Sequence, residues 1–430
     1  MVKYSIISLF PLLLAAQDPG LSLPDAIRKA WDRQPGLLAG EALVDQARAE
    51  ASAARAARLP SLQADAGWRR TDEPLMAFGT KLDQGRITAA DFNPARLNAP
   101  DPISGLGASV TLSQPLYAGG RISSGITSAR DMASAAEARQ TRRRQEVAAA
   151  VVQAYSGVEA SAQGLTYAQD ALQHARAVEA FVAARAAQGL MLKADQLRAQ
   201  AFRARAEADL ALARQREAEA KNALTMLIGG PVPATLSSPL ETGAAPGATP
   251  GTRSDIEAAR FEAQAAEAAA RAEGGNLKPQ VGLELGWGTA RPAFGTTGAT
   301  WTNVSVGARW TFSFAQTRKV QAARAAARAA EENLRWQSAQ ADRERADASA
   351  ILTSAQARVK AAAESVTAAE EARRLNEARF QAGLLPLTDR LDAEASLAGA
   401  RALQLSSLVE LRVAEARQAL ADGRPVEGVQ

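Results

Sequence analysis

Two long stretches of the chain carry apolar and small residues at helical spacing. They run from about Ile122 to Gln188 and from about Ala315 to Ala382, with almost no Pro or Gly. Such spacing predicts long helices, and each would measure about 100 Å at ~1.5 Å per residue. The second stretch also holds a seam with coiled-coil-like spacing, formed by Ile351, Ala355, Val359, Ala362 and Val366.

Four shorter segments alternate strictly between apolar and polar residues. This period of two predicts strands with one apolar face, at 60–70, 107–116, 279–289 and 302–314. Each has about 9–12 residues, the length of a tilted transmembrane strand. Aromatic residues gather near the strand ends, as at membrane interfaces, namely Trp68, Trp287, Trp310, Phe312 and Phe314. The pattern therefore favours membrane strands over a soluble β-sandwich with one buried face.

Four strands are too few to close a barrel in lipid. Known outer-membrane barrels start at about 8 strands, and an open edge would leave backbone groups unpaired. We therefore expect the chain to oligomerise. Two, three or four copies would give about 8, 12 or 16 strands, and the arithmetic does not choose between them.

The two halves of the sequence resemble each other. Residues 184–201 and 378–395 align without gaps and share a Gly-Leu pair followed by Asp and Leu at fixed distances. We therefore predict an internal two-fold repeat, each copy running helix, strand, loop, strand, very long helix, break, helix. The expected divisions are 17–230 for the first copy, 231–251 for a linker, 252–423 for the second copy and 424–430 for a tail.

Each long helix is predicted to stop at a Gly-Leu pair. The pairs are Gly189-Leu190 and Gly383-Leu384, and Gly is the usual residue where a helix ends with a positive φ. Pro386 lies just before the next helix, where Pro is tolerated. The two breaks would form the tips of helical hairpins. An exposed Leu at a tight turn suits docking, and the alternative is an inert tip.

Composition and charge exclude several functions. The 50 basic and 46 acidic residues leave a net charge of +4, without the concentrated basic surface of a nucleic-acid binder. Arg142-Arg143-Arg144, with Glu146 nearby, is interpreted as a solvated helix face. The chain has no Cys, which excludes thiolate catalysis, Cys-based zinc sites and a lipid anchor on Cys. We identify no nucleophile motif and no phosphate loop, so we predict no enzyme, cofactor or metal site.

The single His, His174, is interpreted as an exposed helix residue rather than a catalytic or metal-binding one. Residues 1–16 are predicted to form a secretory signal, with a positive residue, an apolar run and two small residues. No later stretch approaches the ~18 apolar residues of a membrane-spanning helix. We therefore expect an exported protein without a membrane-spanning helix, which, if it enters a membrane, must do so as a barrel.

A long loop from Thr71 to Leu106 is predicted to follow the first strand. It would face the exterior. Two roles are left open: the loop narrows the outer mouth, or it is simply variable.

Four pieces of the sequence together resemble the TolC family of outer-membrane efflux proteins, over essentially the whole mature length. They are Leu21-Ser22-Leu23 with Asp25-Ala26 and Trp31, residues 53–61 (AARAARLPS), residues 113–121 (SQPLYAGGR) and residues 382–393 (AGLLPLTDRLDA). The last two are the more specific, since Ala-rich helices resemble one another.

This resemblance implies a mainly α protein with a transmembrane β-barrel. It implies a homotrimer, in which four strands per chain form a 12-strand barrel continued by a long periplasmic α-helical barrel. It further implies contact with outer-membrane lipid, location in the outer membrane of a Gram-negative bacterium, and a passive channel for efflux or export. The implied partners are a periplasmic adaptor (membrane fusion protein) and an inner-membrane pump of RND or ABC type.

The resemblance also assigns roles to particular residues. The tips that contact the adaptor would be Gly189, Leu190, Gly383 and Leu384. The periplasmic gate would be formed by Asp389 and Asp392, with Asp195 on the neighbouring hairpin, and by Phe380, which stands where a Tyr can make a gate hydrogen bond. Leu384-Leu385 replaces a polar or basic residue found in some members, so the polar latch would be built differently here.

Asp389 and Asp392 are three residues apart and therefore share one helix face. In a trimer they would form stacked carboxylate rings, which set cation preference in a pore. The alternative is a structural role, because Asp in the first turn of a helix is favoured by capping and by the helix dipole.

Two rival interpretations and one variant are also considered. A periplasmic adaptor would lack paired amphipathic strands with aromatic ends in both copies. A structural coiled-coil surface protein would show one unbroken heptad array. A type I secretion outlet is a variant of the channel interpretation that the sequence does not separate from drug or metal efflux.

Overall fold

A computed structural model describes residues 20–233, 235–238 and 251–426. The predicted signal at 1–16, most of the linker at 231–251 and the last residues of the tail lie outside the described residues. In chain order the elements are α1 (Leu23–Arg33), α2 (Pro35–Ala56), β1 (Ser61–Thr71), α3 (Pro74–Asp83), a 3₁₀ helix (Ala89–Phe92), α4 (Pro94–Asn98), β2 (Ile103–Tyr117), α5 (Arg121–Ala187), α6 (Lys193–Ile228), α7 (Ser254–Gly275), β3 (Gln280–Arg291), β4 (Ala299–Arg309), α8 (Phe314–Gln381) and α9 (Leu387–Ala421).

The predicted long helices are present, since α5 has 67 residues and α8 has 68. Across the described ranges, no helix combines the length and the apolar character that crossing a bilayer requires. The predicted seam of α8 is confirmed in part. Ala355 and Val359 pack against Leu411 and Ala414 of α9, whereas Ile351 is 44% exposed.

The four strands form one antiparallel sheet in the order β1-β2-β3-β4. Their register brings like residues together, because paired residues of neighbouring strands point to the same face. One row across the sheet is apolar, Leu62–Leu112–Leu285–Val304. The next row is polar, Ser61–Ser113–Glu284–Ser305. The alternation predicted strand by strand is therefore one apolar face and one polar face of a single sheet.

The fourth strand ends earlier than the sequence predicts. We expected a strand over 302–314, but β4 ends at Arg309 and Phe314 is the first residue of α8. The side-chain Oγ and backbone carbonyl of Ser313 accept hydrogen bonds from the N–H of Gln316, at 3.3 and 3.1 Å. These bonds begin the helix, as a Ser at a helix N-terminus commonly does. The prediction was wrong because the aromatic alternation continues past this point.

The segment between β1 and β2 is more ordered than a loop. It contains α3, the 3₁₀ helix and α4. Gln84 donates a hydrogen bond to the carbonyl of Ser104 at 2.8 Å, and Lys81 forms an ion pair with Asp91. Lys81, together with the hydrogen bonds from Thr88, lowers the pKa of Asp91 from 3.8 to about 2. The segment is therefore held together by an internal ion pair and attached to the end of the sheet by a hydrogen bond.

The chain divides into two compact units, which we call the helical unit and the sheet unit. The helical unit comprises Met1–Gly40, Gln140–Ser254 and Gln340–Gln430, and the sheet unit comprises Glu41–Arg139 and Asp255–Ala339. The long helices α5 and α8 contribute residues to both.

The core of the helical unit forms around the start of the described chain. Ile27, Val151, Val152 and Leu224 are almost completely buried in one cluster. Within it, the hydroxyl of Tyr155 donates a hydrogen bond to the carbonyl of Leu21 at 2.7 Å and accepts one from the N–H of Ser238 at 3.0 Å. A buried phenol thus fastens two chain segments that lack regular structure of their own.

In the sheet unit the helices approach one another through small residues. The hydroxyl of Ser128 in α5 donates a hydrogen bond to the carbonyl of Ala265 in α7 at 2.8 Å. A Cβ on Gly275, at the end of α7, would lie 2.7 Å from the backbone nitrogen of Arg121. Glycine is therefore required where α7 ends against the start of α5.

Candidate functional site

Both long helices end in the same cap. At the first, Gly189 has φ +73°, its N–H bonds the carbonyl of Ala186 at 3.0 Å, and the N–H of Leu190 bonds the carbonyl of Arg185 at 3.0 Å. At the second, Gly383 has φ +77° and the corresponding bonds reach Phe380 at 3.0 Å and Arg379 at 2.9 Å. This pattern is the Schellman motif, which needs a residue without Cβ strain at the turn. The predicted end of each helix is confirmed.

An apolar cluster joins the two hairpin tips. Val178 and Val182 of α5, Ala199 of α6, Phe380 of α8 and Leu387 of α9 are buried together in it. The rings of Phe181 and Phe380 lie 5.5 Å apart at 54°, a tilted contact that favours aromatic pairs. The structure therefore places Phe380 inside the tip, where its ring holds one hairpin against the other.

Charged residues of the second hairpin close over this cluster. Arg390 is 7% exposed, its guanidinium lies 5.0 Å from the centre of the Phe380 ring, and it pairs with Glu377 at 3.3 Å. Arg373 pairs with the same Glu377 at 3.5 Å and with Glu394 at 3.7 Å. Arg390 was not identified from the sequence. The sequence feature that could have identified Arg390 is its position: it lies one turn after the Gly-Leu break, on the same helix face as Leu387 and Glu394.

The three predicted gate carboxylates have different surroundings. Asp195, in the first turn of α6, pairs with Arg198 at 3.5 Å. Asp389 and Asp392 are exposed on α9, and in the described part of the chain neither forms an ion pair. The Oδ1 of Asp389 accepts a hydrogen bond from Thr388 at 3.2 Å. Two unpaired negative charges are thus presented one turn apart on one face of a helix.

Leucines protrude at both tips. Leu190 is 62% exposed and Leu384 is 78% exposed, so the described part of the chain leaves most of each side chain uncovered. Leu192 is 71% exposed and was not identified from the sequence. Exposed apolar side chains grouped at one end of a structure commonly mark a binding surface.

The predicted interface aromatics fall into two groups within the sheet unit. Trp68 on β1 and Trp287 on β3 lie on the apolar face of the sheet, and both are exposed. The second group follows β4: Trp310 donates a hydrogen bond to the carbonyl of Leu277 at 3.1 Å, and the rings of Phe312 and Phe314 meet edge to face at 5.4 Å. All three residues of this second group are exposed beside the ends of the strands.

A buried charged cluster lies elsewhere in the helical unit. Arg412 of α9 is 4% exposed and pairs with Glu159 of α5 at 3.4 Å. Burial raises the pKa of Glu159 from 4.5 to about 7, against the lowering effect of Arg412. Burial likewise raises the pKa of Glu415 to about 6 beside the same Arg412. This cluster was not identified from the sequence, because its members lie on helices that are far apart along the chain.

The described residues contain no group of side chains suited to a metal ion. His174 is exposed on α5, as predicted.

Comparison with known families gives a match over most of the chain. The family described as outer membrane efflux protein matches residues 26–230 and 250–423. The comparison with curated proteins gives no match.

Several solved structures share the fold across nearly the whole chain. A membrane protein from Pseudomonas aeruginosa is 22% identical with a TM-score of 0.80, and the match covers 95% of this chain and 91% of that one. The outer membrane protein VceC from Vibrio cholerae is 21% identical with a TM-score of 0.77, covering 94% and 96%. The open state of the MtrE outer membrane channel from Neisseria gonorrhoeae is 22% identical with a TM-score of 0.79, covering 94% and 89%.

Proposed function

Because the chain belongs to the outer membrane efflux protein family, we propose that it is the outer-membrane channel of a tripartite efflux or export system. The family consists of channel proteins, so the proposed activity is passage rather than a reaction. One observation carries the proposal: a single chain joins a four-stranded sheet, which has an exposed apolar face and edge strands that no other described segment pairs with, to two helical hairpins.

A homotrimer is the proposed assembly. β1 and β4 are the edges of the sheet, and unpaired edge strands in lipid must be covered. Pairing β1 of one copy with β4 of the next would close about 12 strands from three copies. The exposed side chains of Leu62, Val304 and Val306 would then face lipid. The helices of the three copies would continue the duct into the periplasm.

The two aromatic groups support this placement. Strand β3 has 12 residues, close to the ~9–11 that a tilted strand needs to cross a bilayer. Trp68 and Trp287 lie on the strands, whereas Trp310, Phe312 and Phe314 lie where the strands meet the helices. Tryptophan and phenylalanine at such levels anchor barrels at the membrane–water boundary.

The gate is proposed to lie at the hairpin tips. Asp389 and Asp392 are exposed, and neither has an ion-pair partner among the described residues of one chain, so three copies would bring like charges together. Such rings attract cations and make a pore less permeable to anions. Asp195 would contribute from the neighbouring hairpin, where it pairs with Arg198 of its own helix. Phe380 would act by packing, since it has no hydroxyl and is buried against Phe181.

The exposed leucines are the proposed docking points for a periplasmic adaptor. Leu190 and Leu384 follow the two Schellman caps and project from them. An adaptor would bridge this outer-membrane channel to an inner-membrane pump, which would supply the energy. We also propose that residues 1–16 are a secretory signal and that 17–230 and 252–423 are two structural repeats.

Single-channel conductance in planar bilayers tests the function and the gate together. Wild type should give a small, cation-selective conductance that divalent cations reduce. The double variant Asp389→Ala/Asp392→Ala should conduct more, or lose the block by divalent cations, because the carboxylate rings are gone. Asp342→Ala/Asp347→Ala, which removes two exposed carboxylates of another helix, α8, each paired there with an Arg, is the control and should behave as wild type.

Two results would contradict parts of this proposal. A folded and oligomeric sample that forms no channel would exclude the duct and favour the alternative of a periplasmic adaptor. A channel indifferent to the Asp389/Asp392 substitutions would keep the duct and place the gate elsewhere. A type I secretion outlet, the other alternative, would conduct in the same way and would be recognised by its cargo.

A further inference from the structure

A basic cavity of 760 Å³ opens in the sheet unit. It lies between the end of α7 and the first part of α8, beside the Gly119-Gly120 turn that precedes α5. Its volume is within the ~300–1,000 Å³ of small-ligand sites. Its charged lining consists of Arg271, Lys278, Arg324, Arg328 and Glu267.

Small residues give the cavity its shape. Gly119 has φ +62°, and a Cβ there would lie 2.4 Å from the carbonyl oxygen of Gly275, so the turn is pressed directly against the end of α7. Ala270 and Gly274 on α7, and Ala327 on α8, line the cavity with almost no side-chain volume. The space is therefore built by the backbone and stays open without a bulky side chain to fill it.

The positive charges in the cavity are mostly uncompensated. Glu267 pairs with Arg271 at 2.5 Å. Among the described residues, Lys278, Arg324 and Arg328 have no acidic partner within ion-pair distance. Arg324 and Arg328 are four residues apart on one face of α8, so they repel one another. Cations that converge on one concave surface raise the local concentration of anions.

The cavity begins where the strands end. Lys278 precedes β3 by two residues, and its neighbour Leu277 accepts the hydrogen bond from the Trp310 indole at 3.1 Å. Trp310 is itself exposed. The end of the cavity at Lys278 is thus at the level of Trp310, which the proposed function places at the membrane–water boundary. Anions available at that level are phospholipid phosphates, which basic pockets of membrane proteins bind.

We propose that this cavity binds the headgroup phosphate of an anionic phospholipid, one lipid for each chain. The proposal rests on the proposed function, which sets Trp310 at the boundary of the outer membrane. Lys278 would meet the phosphate as a point charge. Arg324 would offer the planar fork of N–H donors that binds phosphate oxygens in pairs. Arg328 and Arg271 would hold the rest of an anionic headgroup further along the cavity.

Native mass spectrometry of the purified oligomer tests this site. Wild type should retain phosphatidylglycerol in preference to phosphatidylcholine. Arg324→Gln/Arg328→Gln should bind phosphatidylglycerol about tenfold more weakly, because charge-assisted hydrogen bonds are lost. The matched control is Arg318→Gln/Lys319→Gln, which removes two exposed cations from the same helix outside the cavity. It should retain the lipid as wild type does.

Four outcomes would overturn the proposal. Equal losses in both variants would mean unspecific attraction to the helix. Inorganic phosphate that binds in place of lipid, with no preference for phosphatidylglycerol, would make this a free-phosphate site. Loss of the oligomer in the cavity variant alone would assign the cations to a contact with a second copy. Equal retention of phosphatidylcholine by the wild type would exclude recognition of a net negative charge.

Conductance measured on the same samples separates this site from the channel. A cavity variant that conducts as wild type but loses phosphatidylglycerol supports both proposals. Selective lipid retention by a protein that forms no channel would contradict the duct alone.

Discussion

Buried charged residues make the stability of the helical unit depend on pH. Arg412 faces Glu159 and Glu415, so one cation serves two carboxyl groups that are removed from water. Tyr155 lies one turn from Glu159 on α5, and burial also raises the pKa of its phenol. A lone guanidinium cannot fully compensate two carboxylates at low exposure, so one of the two takes up a proton more readily than usual.

This cluster predicts a pH-dependent stability. The pKa of Glu159 is about 7 in the folded chain and near 4.5 when unfolded, so the folded state binds more protons between those values. The contribution of Glu159 to the free energy of unfolding is therefore highest below about pH 4.5, falls as pH rises, and levels off above about pH 7. The total fall should be about 1–3 kcal/mol. Thermal unfolding at a series of pH values measures it.

The variant Glu159→Gln isolates the group responsible. Glutamine can still accept a hydrogen bond from Arg412 but has no proton to lose, so the midpoint temperature should vary less between pH 5 and pH 8. Glu364→Gln removes an exposed carboxylate of α8 and should keep the wild-type dependence. Identical curves for wild type and Glu159→Gln would assign the dependence to other groups.

Arg142 makes a contact that the sequence pattern does not predict. The triple-Arg run was interpreted as a solvated helix face, and Arg142 does pair with Glu146 at 2.9 Å. Its side chain is only 15% exposed, however, and it also donates to the carbonyl of Leu420 at 3.0 Å. A partner 278 positions away leaves no mark on local periodicity. The same reason conceals the Glu159–Arg412 pair.

At the scale of elements, local pattern determines most of what was predicted. The strand alternation and the Gly caps at Gly189 and Gly383 are confirmed, because period and turn chemistry act within a few residues. The end of β4 and the helices between β1 and β2 were missed. Both depend on side-chain contacts, at Ser313 and at the Lys81–Asp91 pair, that interrupt or organise a segment without changing its composition.

Packing between the tips predicts that Phe380 stabilises the two hairpins together. Phe380→Ala would remove a buried ring from the contacts with Phe181 and Arg390. We expect a local loss of about 3–4 kcal/mol, measured as faster amide hydrogen exchange in residues 178–199 and 380–391.

Leu384→Ala is the matched control for this prediction. It truncates an apolar side chain four residues away, but one that is 78% exposed. Exchange in the tips should change little, because exposed truncations cost within about 0.5 kcal/mol. Equal exchange in Phe380→Ala and wild type would show that the hairpins are held together by other contacts.

At the scale of the whole molecule, the helical unit has apolar cores of its own, whereas the sheet leaves much of its apolar face exposed. The apolar cores of the helical unit bury side chains such as Ile27, Val151 and Leu224. The sheet instead leaves Leu62, Val304 and Val306 about two-thirds or more exposed. A lipid environment and further copies of the chain are the conditions under which such a face and its open edges are stable. Sequence periodicity indicates the apolar face but not the number of copies.

Engineered cysteines can count the copies, since the chain has no Cys of its own. Asp65 on β1 and Asn303, Ser305 or Trp301 on β4 belong to the polar face of the sheet, because the register links Asp65 through Ser109 and Gly288 to Trp301. Chains carrying Asp65→Cys with one of Trp301→Cys, Asn303→Cys or Ser305→Cys should cross-link between copies on oxidation, in whichever combination matches the register. The ladder on a denaturing gel should end at three chains.

The control keeps the cross-link within one chain. Asp65 pairs directly with Ser109 of β2, so Asp65→Cys/Ser109→Cys should oxidise without forming a ladder. A ladder that ends at two chains, or continues past three, would replace the trimer with a barrel of about 8 strands or at least about 16. The absence of any ladder across all three β4 positions, with the control oxidised, would mean that β1 and β4 of different copies do not pair. In that case the open edges of the sheet would need another partner to cover them.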